Sequence, residues 1–385
     1  MQAIFQFITA VAISAALLFH ATGDQPQLQE QPQQDQKQKI QVAILLDVSN
    51  SMDGLIDQAK AQLWTMVNTL GRVQCENKVT PEIEFALYEY GTPRNQREGG
   101  YIKQINNFIK DLDSLSENLF GLTTNGGDEY CGHVIYRSIN ELKWDNNPRS
   151  YKVIFIAGNE SFRQGTVSFT KACDVAKTKG VIVNTIYCGD RMQGIREYWN
   201  LQAECGGGTF SNINQDYKIE DIPTPYDSLI YHLNDELNNT YIVYGTQGQQ
   251  YYYKQQKMDQ ANTTMSKKAG IKRAETKSNS SVYNNSSWDL VDKAKEGEAV
   301  FEKIDYKTLP DSLKNKSKEE LKIIVKEKQK QRASIQSQII TLGLKREQYI
   351  KDQKNNSTST TTATLESEIE RIIKDQVQKF GMKIQ

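Results

Sequence analysis

Three side chains within five residues carry the clearest chemistry in this chain. Asp47, Ser49 and Ser51 alternate in the stretch QVAILLDVSNSM, Gln41–Met52. One carboxylate and two hydroxyls are hard oxygen donors, suited to Mg²⁺, Mn²⁺ or Ca²⁺ rather than to soft metals. The same residue types also cap helices, so the surrounding elements decide between the two uses. Val42 to Leu46 form a short apolar run into Asp47, the pattern of a strand buried on both faces of a parallel sheet. After Asp53 the spacing turns helical, with Ile56, Ala59, Leu63, Met66, Val67 and Leu70 on one stripe. The three donors therefore fall on the turn between a central strand and a helix N-terminus, where open α/β sheets bind their ligands.

The rest of the first half supplies such a sheet. Strands are expected at Ile83–Tyr90, Tyr151–Ala157, Val181–Tyr187 and, as an edge, Gly208–Asn212. Between them lie helical stretches at Asp111–Leu119, Asp128–Leu142, Phe169–Lys179 and Gly194–Glu204, while Tyr101–Phe108 reads as a short strand or a helix start. This alternation implies an α/β fold with a doubly wound, mostly parallel sheet. Ser228–Tyr244, with Leu229, Leu233 and Leu237 recurring, is expected to close the domain as a last helix. The domain so delimited runs over 40–245.

The D-x-S-x-S element at Asp47–Ser51, placed at the end of a buried strand, resembles the metal-ion-dependent adhesion site of von Willebrand factor type A (VWA) domains. The resemblance covers about Ile40–Tyr244 and implies the same doubly wound fold. It implies that Ser49 and Ser51 bind a metal directly while Asp47 acts mostly through water. It also implies a threonine from a second loop, LTTNGGDE (Leu122–Glu129), with Thr124 as the choice and Thr123 as the alternative. Gly126 and Gly127 would let the backbone approach the ion. Asp128 and Glu129 then open a helix, where carboxylates also favour the positive dipole end, so Asp128 is either a ligand or a dipole partner. The third loop departs from the family: VIFIAGNE (Val153–Glu160) places Ala157 at the expected aspartate, followed by Gly158, leaving Asn159 or Glu160 as a replacement or as plain turn residues. The implied cofactor is Mg²⁺, or Mn²⁺ or Ca²⁺, and the implied partner a protein offering a carboxylate. The combination of LTTNGGDEYCG, FIAGNESF, VNTIYCGD and SSWDLVD with a charged C-terminal helix is similar to an exported, bacterial-type subgroup of that family.

Composition bounds the remainder. The 385 residues leave room for one domain of about 200 residues plus extensions. Basic and acidic residues both number 47, and no aromatic-interleaved basic motif points to nucleic acid. Residues 1–23 read as a signal peptide, with an uncleaved anchor as the alternative, and 24–39 as a disordered Gln/Pro-rich spacer. A secreted, periplasmic or cell-surface protein follows, membrane-bound only if the first segment stays attached. Residues 246–287 read as a polar linker with no evident core. Residues 288–353 read as a helical region, within which the capping box Ser317–Glu320 opens a helix running toward Lys351. In it Leu321, Val325, Ile335, Ile339, Leu342 and Tyr349 trace a heptad seam that Lys328, Arg332 and Arg346 interrupt. That seam fits a partial coiled coil and self-association, or a helix docking on its own chain. Residues 354–364 are a linker and 365–385 a terminal helix.

Five cysteines lie in the central region, and export would permit disulfides. Cys131 and Cys188 are both expected at carboxyl-end loops, either bridged or as separate buried thiols. His133, two residues from Cys131, invites a nucleophile reading, against which it is a plain residue on a helix turn. With no paired-carboxylate, Ser-His-Asp or H-E-x-x-H arrangement, an enzyme is not expected. The competing readings are a metal-dependent interaction module, a scaffold with a degenerate site working through its coiled coil, and a hydrolase.

Overall fold

The computed structural model describes residues 37–214, 216, 221–355 and 364–384. The expected signal segment, most of the spacer and most of the 354–364 linker lie outside them. Six strands form the main sheet: β1 (Lys39–Asp47), β3 (Glu82–Tyr90), β4 (Ile102–Ile109), β5 (Tyr151–Gly158), β6 (Ile182–Cys188) and β7 (Gly207–Ile213), ordered β4-β3-β1-β5-β6-β7. Every pairing is parallel except β3 with β4, which settles Tyr101–Phe108 as an antiparallel edge strand. The chain runs outward from β1 in one direction and then in the other, so the topological switch lies at β1. A two-stranded sheet pairs β2 (Val73–Cys75) with the C-terminal β8 (Met382–Ile384).

Helices cover both faces. On one side α1 (Asp53–Gly71), α2 (Leu112–Phe120) and the C-terminal α14 (Leu365–Val377) pack on Val42, Leu46, Val153 and Phe155. On the other, α3 (Cys131–Glu141), α4 (Phe169–Lys179) and α6 (Trp199–Cys205) cover Ala43, Leu45, Ile154 and Ile156. A short α5 (Arg191–Arg196) precedes α6. The single helix expected at Gly194–Glu204 breaks there because Tyr198 adopts a left-handed φ of 69°. The terminal helix belongs to the α/β body: Gln376 accepts from Tyr151 Oη at 2.8 Å and donates to Asn184 Oδ1 at 2.7 Å.

Between β7 and α14 the chain inserts a helical layer. It comprises α7 (Asp227–Asn238), α8 (Gly248–Met265), α9 (Lys267–Ser278), the short turns α10 (Leu290–Lys293), α11 (Val300–Lys303) and α12 (Asp311–Lys314), and the 38-residue α13 (Lys318–Asn355). Three expectations change here. The helix of Ser228–Tyr244 turns Ile230, Leu233 and Leu237 onto α9 and α13, leaving Leu229 47% exposed, and so does not close the sheet. The polar linker of 246–287 is instead α8 and α9, because its charges are buried as pairs. Arg273 binds Asp113 at 2.8 Å and Asp259 at 2.5 Å while stacking over the Trp64 ring, and Lys277 binds Asp259 at 2.7 Å. The coiled-coil seam is occupied within the chain. Leu321 and Val325 pack on Ile242, Leu290 and Val291, and Ile335 and Ile339 on Leu233 and Ile271. The arginines that interrupt the seam anchor it: Arg332 is 2% exposed and bonds Asp289 at 2.6 Å, and Arg346 is 1% exposed and bonds Asp227 at 2.9 Å.

The disulfide joins Cys173 to Cys205, with Cα atoms 5.7 Å apart, and ties α4 to α6. Cys131 and Cys188 are separate buried thiols, so the bridge between them is not formed. No helix among the described residues is long and apolar enough to cross a membrane.

Candidate metal centre

The β1 register places Asp47 beside Tyr90 at the end of β3, and the chain leaves the sheet there into a 3-10 turn and α1. The Asp47 carboxylate is buried. Its Oδ1 accepts the Ser49 amide at 2.8 Å, while Oδ2 is sealed from solvent with no hydrogen bond. Two glycines make room for it: a β-carbon would lie 2.9 Å from Oδ1 at Gly91 and 2.9 Å from Oδ2 at Gly158. Gly91 also needs its φ of +83°, which side chains rarely adopt.

The other donors gather beside it. Ser49 and Ser51 hydroxyls are 3.4 Å apart, and Asn159 Nδ2 donates to Ser51 Oγ at 3.2 Å. Asn159 Oδ1 is buried without a partner. The second loop is stitched to the first by the Asn125 amide on Val48 O at 2.8 Å, and Gly126 lies against Asn50. Thr124 reaches the N-terminus of α1, where its hydroxyl is hydrogen-bonded to Asp53; Thr123 is held by Arg94 instead. Glu160 takes Gln164 Nε2 at 2.9 Å on Oε2 and raises the Asp47 pKa by charge. Asp128 is exposed, its carboxylate 3.5 Å from Tyr130 Oη, and α3 begins only at Cys131, so neither Asp128 nor Glu129 sits in a first helical turn.

The third loop corrects the sequence reading. Ala157 points to the opposite face of β5, with Phe155 and Val153, into an apolar cavity shared with Leu46 and Ile369. The position whose side chain would meet Asp47 is 158, a glycine. Strand alternation explains the difference: Asp47 shares the face of Ala43 and Leu45, and only even-numbered β5 residues lie on that side. A β-carbon there would also sit 2.5 Å from Tyr90 Oη, which donates to Ala157 O at 3.1 Å.

Glu129, which the sequence does not mark out as a ligand, also borders this pocket. It is only 7% exposed, and a β-carbon on Gly91 would lie 2.8 Å from its Cγ. Burial, with the Asp47, Glu160 and Asp128 charges, lifts its carboxyl from 4.5 to about 8. Burial lifts Asp47 from 3.8 to about 7, Glu160 adding to the rise and the Ser49 hydrogen bond opposing it. No cationic side chain is among the groups acting on Asp47 or Glu129. The only sequence signal for Glu129 was its place after Gly126-Gly127, in a loop too short to carry it far.

Among the described residues no three His, Cys, Asp and Glu side chains converge as a metal cage. The donors that do converge are oxygens of another kind: the Asp47 carboxylate, two serine hydroxyls and the Asn159 amide carbonyl. Two of these oxygens, Asp47 Oδ2 and Asn159 Oδ1, are buried acceptors left without hydrogen bonds, an arrangement that is costly unless something fills it. The set fits a hard divalent cation. Cys131 and His133 form no nucleophile–base pair. The Cys131 thiol faces Tyr90 Oη at 3.8 Å and is pushed well up in pKa by burial, while His133 Nδ1 is buried without a partner beside Gly100.

No family model matches the sequence, and no curated protein matches it. Solved structures overlap part of it. Proximal thread matrix protein 1 from the mussel byssus, in a form described with a zinc-occupied MIDAS motif, is 12% identical with a TM-score of 0.34, over 46% of this chain and 42% of that one. The VWA domain of SpRpn10 is 14% identical with a TM-score of 0.35, over 46% and 88%. An aerotolerance-related membrane protein from Bacteroides fragilis is 14% identical with a TM-score of 0.32, over 46% and 93%. This chain thus spans less than half of the mussel protein. Overlaps this shallow carry nothing about the site, which stands on its own geometry. With strand order β4-β3-β1-β5-β6-β7, one antiparallel edge and the D-x-S-x-S turn at the carboxyl end of β1, the α/β body is the doubly wound, mostly parallel sheet that its sequence leads one to expect.

Proposed function

We propose that this is an exported interaction module that binds a divalent cation at the carboxyl edge of its sheet. The cation is Mg²⁺, with Mn²⁺ or Ca²⁺ as alternatives, and its open coordination position would accept a carboxylate from a partner protein. The observation that carries this reading is the buried Asp47 Oδ2, without a hydrogen bond and flanked by Ser49, Ser51 and Asn159. Ser49 and Ser51 would hold the ion, with Asp47 supplying charge. Thr124 would contribute only by giving up its bond to Asp53. The cation supplies a Lewis-acidic anchor; the chain fixes its position and leaves one side open to solvent through Ser51. The Cys173–Cys205 bridge is consistent with an oxidising compartment and hence with export.

The role we read from this geometry is binding. The scaffold reading loses one of its motives, since the α13 seam is filled by the chain itself. Titration calorimetry with Mn²⁺ tests the proposal, with the Ser49→Ala/Ser51→Ala double variant as control. Saturable uptake by the wild type and its loss in the double variant support it; no uptake by the wild type refutes it. Partner capture that survives in the double variant would separate the interaction from the ion.

A further inference from the structure

We infer that Glu129 supplies from the second loop the negative charge that Gly158 leaves out of the third. The inference rests on the cation reading above and names a residue which that reading does not need. Position 158 faces Asp47 Oδ2 but carries no side chain, and Tyr90 Oη closes the space above it. A divalent ion beside Asp47 alone would keep an excess positive charge in a buried pocket, which is expensive. On the other side of the same carboxylate, Gly91 is the contact point for both Asp47 Oδ1, at 2.9 Å from its virtual β-carbon, and Glu129 Cγ, at 2.8 Å. The two glycines thus grip the two Asp47 oxygens, and Glu129 enters through the Gly91 side.

The rest of the environment agrees. Glu129 is 7% exposed and in no ion pair among the described residues, and the charges acting on it most strongly are the carboxylates of Asp47, Glu160 and Asp128. A buried carboxylate repelled by others is destabilising unless a cation offsets the repulsion. Its backbone is held in place: the Glu129 amide donates to Gln164 Oε1 at 3.3 Å, and Gln164 Nε2 bonds Glu160 at 2.9 Å. Gly127, packed against Gly91 O and Pro93, lets the loop run close enough to deliver it. Asp47 Oδ2, fully buried and unpartnered, is the independent sign that a ligand belongs there.

The test titrates Mn²⁺ into the full chain by calorimetry for the wild type, Glu129→Gln and Asp128→Asn. Glu129→Gln should weaken Mn²⁺ by about 10- to 100-fold, whereas Asp128→Asn, exposed and outside the pocket, should change it less than about threefold. Thermal unfolding supplies a second readout. In chelator, Glu129→Gln should melt at or above the wild type, because it removes a buried like charge, and its gain in Tm on adding Mn²⁺ should shrink. Glu129→Gln binding Mn²⁺ like the wild type, or melting below it in chelator, overturns the inference and leaves the cation site standing. A wild type that takes up no Mn²⁺ overturns the site itself.

Discussion

Asp47 Oδ1 and the Ser49 amide are 2.8 Å apart, and this one bond orients the carboxylate so that Oδ2 is aimed, unpaired, into the pocket. The fold thereby stores an acceptor without a donor. Burial is the main reason its pKa rises to about 7.

The first consequence is a pH-dependent stability in the cation-free protein. A carboxyl raised in the folded state keeps a proton that the unfolded chain releases, so stability is present below the unfolded value near 4 and is lost as pH rises through about 7 for Asp47 and about 8 for Glu129. For Asp47 the loss amounts to up to about 4 kcal/mol, and the two groups interact, so their losses do not add. Urea unfolding in chelator at pH 5 and pH 8.5 should show the decline. Asp47→Asn should flatten it, and Mg²⁺ should restore stability mainly at the higher pH.

Arg332 locks α13 to α10 and to the segment after α7 by bonding Asp289, Asp292 and the Thr240 hydroxyl while stacking on Tyr241. Arg332→Met removes the cation and leaves two buried carboxylates facing each other. A loss of about 3 to 5 kcal/mol is expected from equilibrium unfolding, with Mn²⁺ affinity unchanged in the folded fraction.

Reducing the Cys173–Cys205 bridge should lower stability by about 2 to 4 kcal/mol, read as a drop in denaturation midpoint with a phosphine reductant. Cys131 and Cys188, buried and held protonated, should stay unlabelled by maleimide until the chain unfolds.

Of the sequons at Asn238, Asn262, Asn285 and Asn315, the first three are committed to the interior. Asn238 bonds Asp259 and Lys277, Asn262 receives Trp64 Nε1 at 2.7 Å, and Asn285 is buried. Expression in a glycosylating cell should therefore yield glycan at Asn315 and none at the other three, by peptide mass spectrometry.

The α/β half was legible because its strands are apolar runs and its helices amphipathic: Phe169–Lys179 and the β1 turn fall where periodicity puts them. The insert was not, because Arg273, Lys277, Asp113 and Asp259 neutralise one another across elements distant in sequence, and hydropathy counts each as a surface residue. Arg332 and Arg346 misled in the same way, as apparent flaws in a seam they in fact secure. In the site, Asp47, Ser49 and Ser51 were readable from spacing. The third loop was misread by one residue, and in a strand one residue moves a side chain to the other face. Glu129 could not be placed from sequence, since its approach depends on how the glycine loop folds over Gly91.

The most direct measurement is a crystal grown in Mn²⁺, with data collected for anomalous scattering. The account predicts one strong peak bounded by Asp47, Ser49, Ser51 and Asn159, within reach of Glu129. A well-ordered pocket with no peak there, in crystals saturated with Mn²⁺, would contradict it.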